Sequence, residues 1–595
     1  MKKIVTSSAF FLFLAGAFIF TLFCMKNGGE DPHFTEISNA LIESSFKNDT
    51  LNTQFSFQNP EEFGLSEETC SLPLYDRTEY LSSVNSLEET ISALNKINPK
   101  HLSPQTKATY EVLLPYLKQQ KQTAMFPYYE EPLSSTSGIH ISLPVLMAEF
   151  PVVDETDLMR YLSVLSLVPS YFESLAKFEA DKAAAGLFMS SEDADLVMSQ
   201  CDFFASKQGE DFFRTCFSET LNLVFPDNNP DDAAIRQSYI EKHDAILRQK
   251  VLPAYEKLGD SILLLKEPGK ERRGLCQYEK GQEYYEQHIR SLIGTDASVE
   301  EIQQKLYVRL EDLYLELAQL QTHPSLFELQ KSVTKDISVS ECLPALQKNM
   351  RDLFPTPAGN SSVTVKEIPS AIADFTAPAY YFTPNITICR KGDLSSVKNT
   401  IYVGSDLKED PVELFTTLAH EGYPGHMYQN VYFLSSQGVN KKNVLRYCMN
   451  FPGYSEGWAL YTEILSYSYA EGNKTYLEFM RLSREIQLCL LCILDIRVHN
   501  DGATVSDISP LLTRIGISDP AALENVYTYL VNEPGTYLQY YGSYLELLEC
   551  KELYRKKCMV ENTTYSDLAF HTFFLEHGPD SYTNIRRAVS GGKNE

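Results

Sequence analysis

Apolar residues recur every three or four positions along much of the chain, and this spacing predicts amphipathic helices. The clearest stretches are residues 155–181, 234–266, 298–322, 457–470, 474–498 and 537–557. An island at 363–404 differs, because its apolar residues alternate or are β-branched, at 363–365, 386–389 and 400–403. We therefore predict a mainly α fold, a large helical unit that carries one small β-sheet.

The first 27 residues combine a positively charged start with a long uncharged apolar run. Met1-Lys2-Lys3 precedes an uncharged, mostly apolar run from Ile4 to Met25. This is the pattern of an export signal, and the run is also long enough to be an uncleaved membrane anchor. Cys24 leaves lipidation open, although the bulky Phe23 precedes it. We predict an exported, envelope-associated or extracellular protein that meets the membrane only through this segment.

The rest of the chain divides into two regions in this interpretation. An N-terminal helical region covers 28–270, and a C-terminal region, 271–595, holds the segments with candidate chemistry. The full chain has 595 residues and a formal net charge of −27. A negative field of this size repels phosphate backbones, so nucleic acid is not an expected partner.

One segment has a residue pattern that is typical of metal-binding sites in hydrolases. Asp410 and Pro411 start a predicted helix, and His420-Glu421 follows, with His426 six residues after the first histidine. On a straight helix, six residues rise about 9 Å and turn by roughly 240°, so the two histidines could not share one ion. Pro424-Gly425 lies between them and could break the helix, which would bring His426 back. If the helix simply ends at Pro424, His420 and His426 are two unrelated polar histidines.

A second segment strengthens the interpretation as a metal site. Glu456 and Glu463 are seven residues apart in a predicted helix, so they share one face. Two histidines and a carboxylate from a later helix form a ligand set that zinc accepts. The Glu421 carboxylate would then take a proton from a metal-activated water. Considered alone, Glu456 fits better as a solvated carboxylate near a helix start, and only the neighbouring histidine motif favours a ligand.

The two segments together resemble the bacterial family known as domain of unknown function 885. Its pattern is similar to His-Glu-x-x-Pro-Gly-His followed by Glu-Gly-Trp-Ala-Leu-Tyr-x-Glu, which here spans His420–His426 and Glu456–Glu463. Weaker matches lie at 281–285, 377–381, 495–502, 534–542, 570–571 and 578–579. The resemblance implies a helical, gluzincin-like zinc metallopeptidase. It makes His420, His426 and Glu456 the metal ligands, and Glu421 the general base.

These observations lead us to expect a zinc-dependent hydrolase of peptide substrates. Tyr540 is the candidate donor to the oxyanion of the transition state, with Tyr537 or His499 as rivals. The strand at 399–403 could pair with an extended peptide along a sheet edge, although a purely structural strand fits as well. Two alternatives stay open: an exported peptide-binding lipoprotein without catalysis, and a metal-dependent amidase or dipeptidase acting on cell-wall peptides.

Overall fold

The computed structural model describes residues 30–591 apart from 66–68, 321–337, 360, 370–372, 374–375 and 396. The predicted signal peptide or anchor at 1–27 lies outside the described residues. Most of the described chain is helical, which confirms the predicted fold class. In the first half the helices are Glu30–Phe46, Thr50–Ser56, Arg77–Asn95, Pro104–Thr123, Ile139–Ala148, Glu155–Ala184, Ser191–Ala205, Lys207–Val224, Ala233–Ile246 and Leu252–Leu265.

The second half continues in the same way around the residues of the predicted metal site. Its helices are Gly281–Ile293, Val299–Leu320, Val339–Met350, Pro411–Glu421, His426–Gln437, Leu445–Cys448, Pro452–Ser466, Lys474–His499, Val505–Arg514, Pro520–Asn532, Ser543–Val560, Asp567–His577 and Tyr582–Val589. Within the described residues, all six predicted stretches are therefore mostly helical. Two contain a π-helical segment, at Leu247–Val251 and Leu538–Gly542.

Three strands form one small sheet: β1 (Ser362–Glu367), β2 (Ala379–Phe382) and β3 (Lys398–Val403). Their order is β1-β3-β2, with β1 parallel and β2 antiparallel to β3. The suggestion that the strand at 399–403 offers an edge to a substrate is wrong, because β3 is central and pairs on both sides. The predicted strand at 386–389 is also wrong, since it contributes only two isolated bridges, at Ile386 and Cys389.

Two large hydrophobic cores and one small cluster, of Phe126, Tyr129 and Tyr284, organise the described residues. The larger core joins N-terminal side chains such as Phe34 and Leu113 to Leu418 and Trp458 of the metal segments. The second lies among residues 51–262 and reaches the sheet through Tyr380 and Tyr402. Side chains from both sides of residue 270 thus share the larger core, and the division of the chain near that residue stays a prediction.

Membrane contact was predicted for the N-terminal segment alone. Among the helices of the described residues, none is both long and apolar enough to cross a membrane.

Candidate metal centre

The segment with the two histidines folds as two helices joined by a sharp turn. The Asp410 carboxylate accepts hydrogen bonds from the N–H groups of Val412 (2.9 Å) and Glu413 (3.1 Å), so it caps the first helix as predicted. That helix, Pro411–Glu421, ends one residue after His420. A new helix begins at His426. The break predicted at Pro424-Gly425 is therefore present.

Two features hold this turn in its tight form. A Cβ atom on Gly425 would lie 1.7 Å from the carbonyl oxygen of His420, so only glycine fits between the two helices. The indole Nε1 of the fully buried Trp458 donates to the carbonyl oxygen of Pro424 at 2.8 Å. Trp458 belongs to the helix Pro452–Ser466, which also carries Glu456. This bond therefore fixes the turn against the helix of the third ligand.

The predicted metal ligands converge in the structure. Nε2 of His420 and Nε2 of His426 each lie 3.5 Å from Oε2 of Glu456, and the three ligand atoms are all within 4.8 Å of one another. Glu456 Oε2 is buried and accepts no hydrogen bond with acceptable geometry from the described residues. A buried carboxylate oxygen without such a bond is costly unless it meets a cation. The His420, His426 and Glu456 side chains thus form a possible metal site.

A carboxylate behind the first ligand fixes the orientation of its imidazole. Nδ1 of His420 lies 2.9 Å from Oε2 of Glu463, and Oε1 of Glu463 accepts a hydrogen bond from Nε of Arg484, also at 2.9 Å. Burial raises the pKa of Glu463, but Arg484 and His420 outweigh it and lower that pKa to about 2. The carboxylate therefore stays ionised. A proton on Nδ1 leaves Nε2 of His420 free to bind a metal.

Sequence reasoning noted that Glu463 shares a face with Glu456, but it missed this role. The signal was present in the seven-residue spacing of the two carboxylates. The partner lay 43 residues away in the chain, on a different helix.

Glu421 lies next to the triad and faces the small sheet. Its Oε2 accepts a hydrogen bond from the backbone N–H of Tyr381 in β2 at 2.8 Å. Burial raises the pKa of Glu421, and the nearby His420 and His426 act in the opposite direction. A backbone donor leaves no mark in the sequence, so this contact could not be predicted. It places the predicted general base between the outer edge of β2 and the metal ligands.

The structure brings Tyr540 to the same place. The rings of Tyr540 and His420 lie 6.1 Å apart and nearly parallel. Tyr540 lies in the π-helical segment that follows Gly535, whose N–H donates to both oxygens of the buried Asp495 at 2.9 and 3.1 Å. Asp495 also accepts a hydrogen bond from the hydroxyl of Tyr285 at 2.6 Å. The weaker family-like segments 281–285, 495–502 and 534–542 are therefore joined by hydrogen bonds next to the segment that carries Tyr540.

Tyr537 and His499, the other two candidates for the oxyanion donor, pack against other parts of the protein. Tyr537 is buried and packs on Tyr529, with ring centroids 5.7 Å apart. Nδ1 of His499 accepts from the N–H of Leu275 at 3.2 Å, and Nε2 lies 2.8 Å from the carbonyl oxygen of Leu530. Burial lowers the pKa of His499 to about 4. These contacts place His499 in the packing between helices, and the structure does not bring it together with the triad.

The fold and the site define a mainly α-helical protein with a possible His-His-Glu metal site. Residues 62–589 match the family described as a bacterial protein of unknown function (DUF885), so the chain belongs to this family and the resemblance in the motifs is confirmed. Membership shows the family and leaves the metallopeptidase activity as a prediction. No curated protein matches the chain.

Two solved structures share the fold. One is "the putative lipoprotein from Colwellia psychrerythraea", with a TM-score of 0.79 and 18% sequence identity over 95% of this chain and 99% of that chain. The other is "a putative lipoprotein of unknown function from Shewanella oneidensis", with a TM-score of 0.61 and 17% identity over 94% and 99% of the two chains. At these identities the likeness shows the fold alone.

Proposed function

We propose that this protein is an exported zinc-dependent metallopeptidase. The observation that carries the proposal is the convergence of His420, His426 and Glu456, with the carboxylate of Glu421 beside them. A site that only stabilised the fold would need ligands but no neighbouring base. The presence of Glu421 therefore favours a hydrolase over a structural metal site.

The three ligand residues suit zinc. Two imidazole nitrogens and one carboxylate oxygen form a set that leaves a coordination position open, as catalytic zinc sites require. The buried Glu456 Oε2 lies 3.5 Å from Nε2 of each histidine and lacks a satisfactory hydrogen bond, which fits an ion held between the three side chains. Bound zinc would act as a Lewis acid and lower the pKa of water.

The remaining steps belong to residues of the chain itself. Glu421 takes the proton of the attacking water and passes it to the leaving amine. The Tyr540 hydroxyl donates to the oxygen of the attacked carbonyl, where negative charge develops. Glu463 keeps the imidazole of His420 in one orientation and one tautomer throughout.

The side of β2 that does not pair with β3 supports a peptide as the substrate. In the described sheet, β2 pairs only with β3, and the N–H of Tyr381 points away from that partner towards Glu421. An extended peptide that lies along this edge would pass directly beside the general base. The edge strand next to the site is thus β2, and not the strand predicted from the sequence.

Export is supported by two independent observations. Lys2-Lys3 and the apolar run that follows have the pattern of a secretion signal or anchor. The names of both structural neighbours describe them as lipoproteins. We propose that this chain, too, acts in the cell envelope or outside the cell.

The test is hydrolysis of a fluorogenic peptide library by the zinc-loaded full chain. Glu421→Gln should lower kcat by about 10²- to 10⁴-fold, because the base is lost while the ligands remain. Glu413→Gln is the matched control, since Glu413 is exposed on the same helix and should leave kcat unchanged. Zinc binding without cleavage of any peptide would contradict the proposal and favour the peptide-binding lipoprotein. Cleavage of cell-wall fragments alone would favour the amidase or dipeptidase.

A further inference from the structure

Glu533 is a half-buried carboxylate that is oriented by hydroxyl groups from a distant part of the chain. It follows the helix Pro520–Asn532 and precedes the segment that carries Tyr540. Its Oε1 accepts hydrogen bonds from the hydroxyls of Ser137 (2.6 Å), Ser134 (3.5 Å) and Thr136. Three donors on a single oxygen fix the side chain in one orientation across two halves of the chain.

The loop that supplies these hydroxyls is itself anchored. Asn532 Nδ2 donates to Ser135 Oγ at 3.0 Å and to Asp193 Oδ1 at 2.8 Å. Ser135 Oγ also donates to Asp193 at 3.1 Å. Glu533 is therefore held between loop 134–137 and the end of the helix Pro520–Asn532, and both are fixed by hydrogen bonds. A residue that selects ligands needs such a fixed position.

A continuous row of side chains connects Glu533 with the candidate metal site. The backbone N–H of Glu533 donates to the carbonyl oxygen of Tyr529 at 3.0 Å, and the Tyr529 ring packs on Tyr537 with centroids 5.7 Å apart. Tyr540 follows Tyr537 by three residues in the same helical segment. The ring of Tyr540 lies 6.1 Å from that of His420. An extended peptide that ran from the site along this row would meet Glu533 at its far end.

The charge of Glu533 is left without a counter-charge, unlike that of its acidic neighbours. Asp193 pairs with Arg272 at 3.1 Å, and Glu131 pairs with Lys182 at 2.7 Å. Within the described residues, Glu533 has no cationic partner, and its Oε2 accepts no hydrogen bond. The net charge of −27 adds a long-range field that attracts cations to the protein.

We propose that Glu533 selects cationic peptides by binding a positively charged group of the substrate through Oε2. The group is an N-terminal ammonium or the side chain of a lysine or arginine. This inference rests on the proposed peptidase function and adds the substrate class. It assigns no part of the bond cleavage to Glu533.

The test measures binding, so that it does not depend on turnover. Zinc-loaded Glu421→Gln protein is titrated with three fluorescent peptides of otherwise identical sequence. The first is neutral with an acetylated N-terminus, the second has a free N-terminus, and the third is acetylated but contains one lysine. Adding Glu533→Gln should weaken binding of a cationic peptide by about 10- to 100-fold and leave the neutral peptide within about twofold. The cationic peptide that loses affinity identifies which group Glu533 binds.

Two further variants make the result decisive. Glu524→Gln is the matched control, because Glu524 lies on the neighbouring helix, is exposed and pairs with Arg272 at 3.7 Å. Ser137→Ala removes one donor to Glu533 and should produce a smaller loss of the same selectivity. Equal effects of Glu533→Gln on all three peptides, or binding of none of them, would overturn the inference. Selective binding without cleavage by the wild type would instead refute only the peptidase function.

Discussion

The contact between Glu463 and His420 yields a sharp prediction about zinc affinity. The carboxylate of Glu463 serves two donors at once, His420 through Oε2 and Arg484 through Oε1, each at 2.9 Å. Glu463→Gln keeps the shape of the side chain but leaves one acceptor oxygen, and its NH₂ group faces a donor. One of the two contacts must therefore be lost, and the imidazole loses its fixed orientation.

The expected loss follows from this geometry. Carboxylates that support a metal-binding histidine typically contribute 10- to 100-fold to metal affinity, which corresponds to about 1.4–2.7 kcal/mol. Because Glu463 is buried, solvent does little to weaken the contact. We expect the zinc dissociation constant to rise by about this factor in Glu463→Gln. Competition with a chromophoric chelator at fixed pH measures it directly.

Glu471→Gln provides the control, because Glu471 is exposed beyond the end of the same helix. Its zinc affinity should equal that of the wild type. Circular dichroism must show that Glu463→Gln is folded before the affinities are compared. A folded Glu463→Gln variant with wild-type zinc affinity would refute the role assigned to this carboxylate.

Three further predictions concern the turn, the oxyanion donor and a buried histidine. Gly425→Ala places a Cβ 1.7 Å from the His420 carbonyl oxygen. The zinc content should therefore fall, and urea unfolding should show a free energy of unfolding lower by about 3 kcal/mol or more. Wild-type values of both would contradict the tight turn. Tyr540→Phe should lower kcat by about 10²- to 10³-fold with zinc content and KM preserved, and an unchanged kcat would exclude Tyr540 as the donor. Burial lowers the pKa of His243 from 6.5 to about 4, so the unfolded chain binds the proton first and stability falls as the pH drops through this interval. The wild type should lose stability between pH 7.5 and pH 5, and in His243→Phe, which retains the stacking on Phe217, this loss in the free energy of unfolding should be smaller by about 2 kcal/mol. Unfolding curves with the wild-type pH dependence would refute this.

The helical fold and the possible metal site could be predicted from the sequence because both depend on short-range patterns. Apolar spacing marks a helix within a single window, and His420, His426 and Glu456 lie in two compact motifs. The helix break between the histidines was also predictable, since proline and glycine restrict the backbone locally.

What the sequence left open depends on contacts between distant segments. Strand β2 was missed because four residues give too short a pattern, and the central place of β3 is decided by its partners on both sides. The Tyr381 N–H that binds Glu421 is a backbone group, which every residue except proline carries. Tyr540, predicted from family-like blocks, lies beside His420, and its role as oxyanion donor stays a prediction; His499, from a similar block, lies in the packing between helices.

The central claim is that His420, His426 and Glu456 hold one zinc ion and that Glu421 does not. Elemental analysis of the purified full chain after dialysis against trace zinc tests it most directly. We expect about one zinc per chain in the wild type and in Glu421→Gln, and almost none in His420→Ala. A wild type without zinc, or a His420→Ala variant that retains it, would contradict this assignment of the ligands.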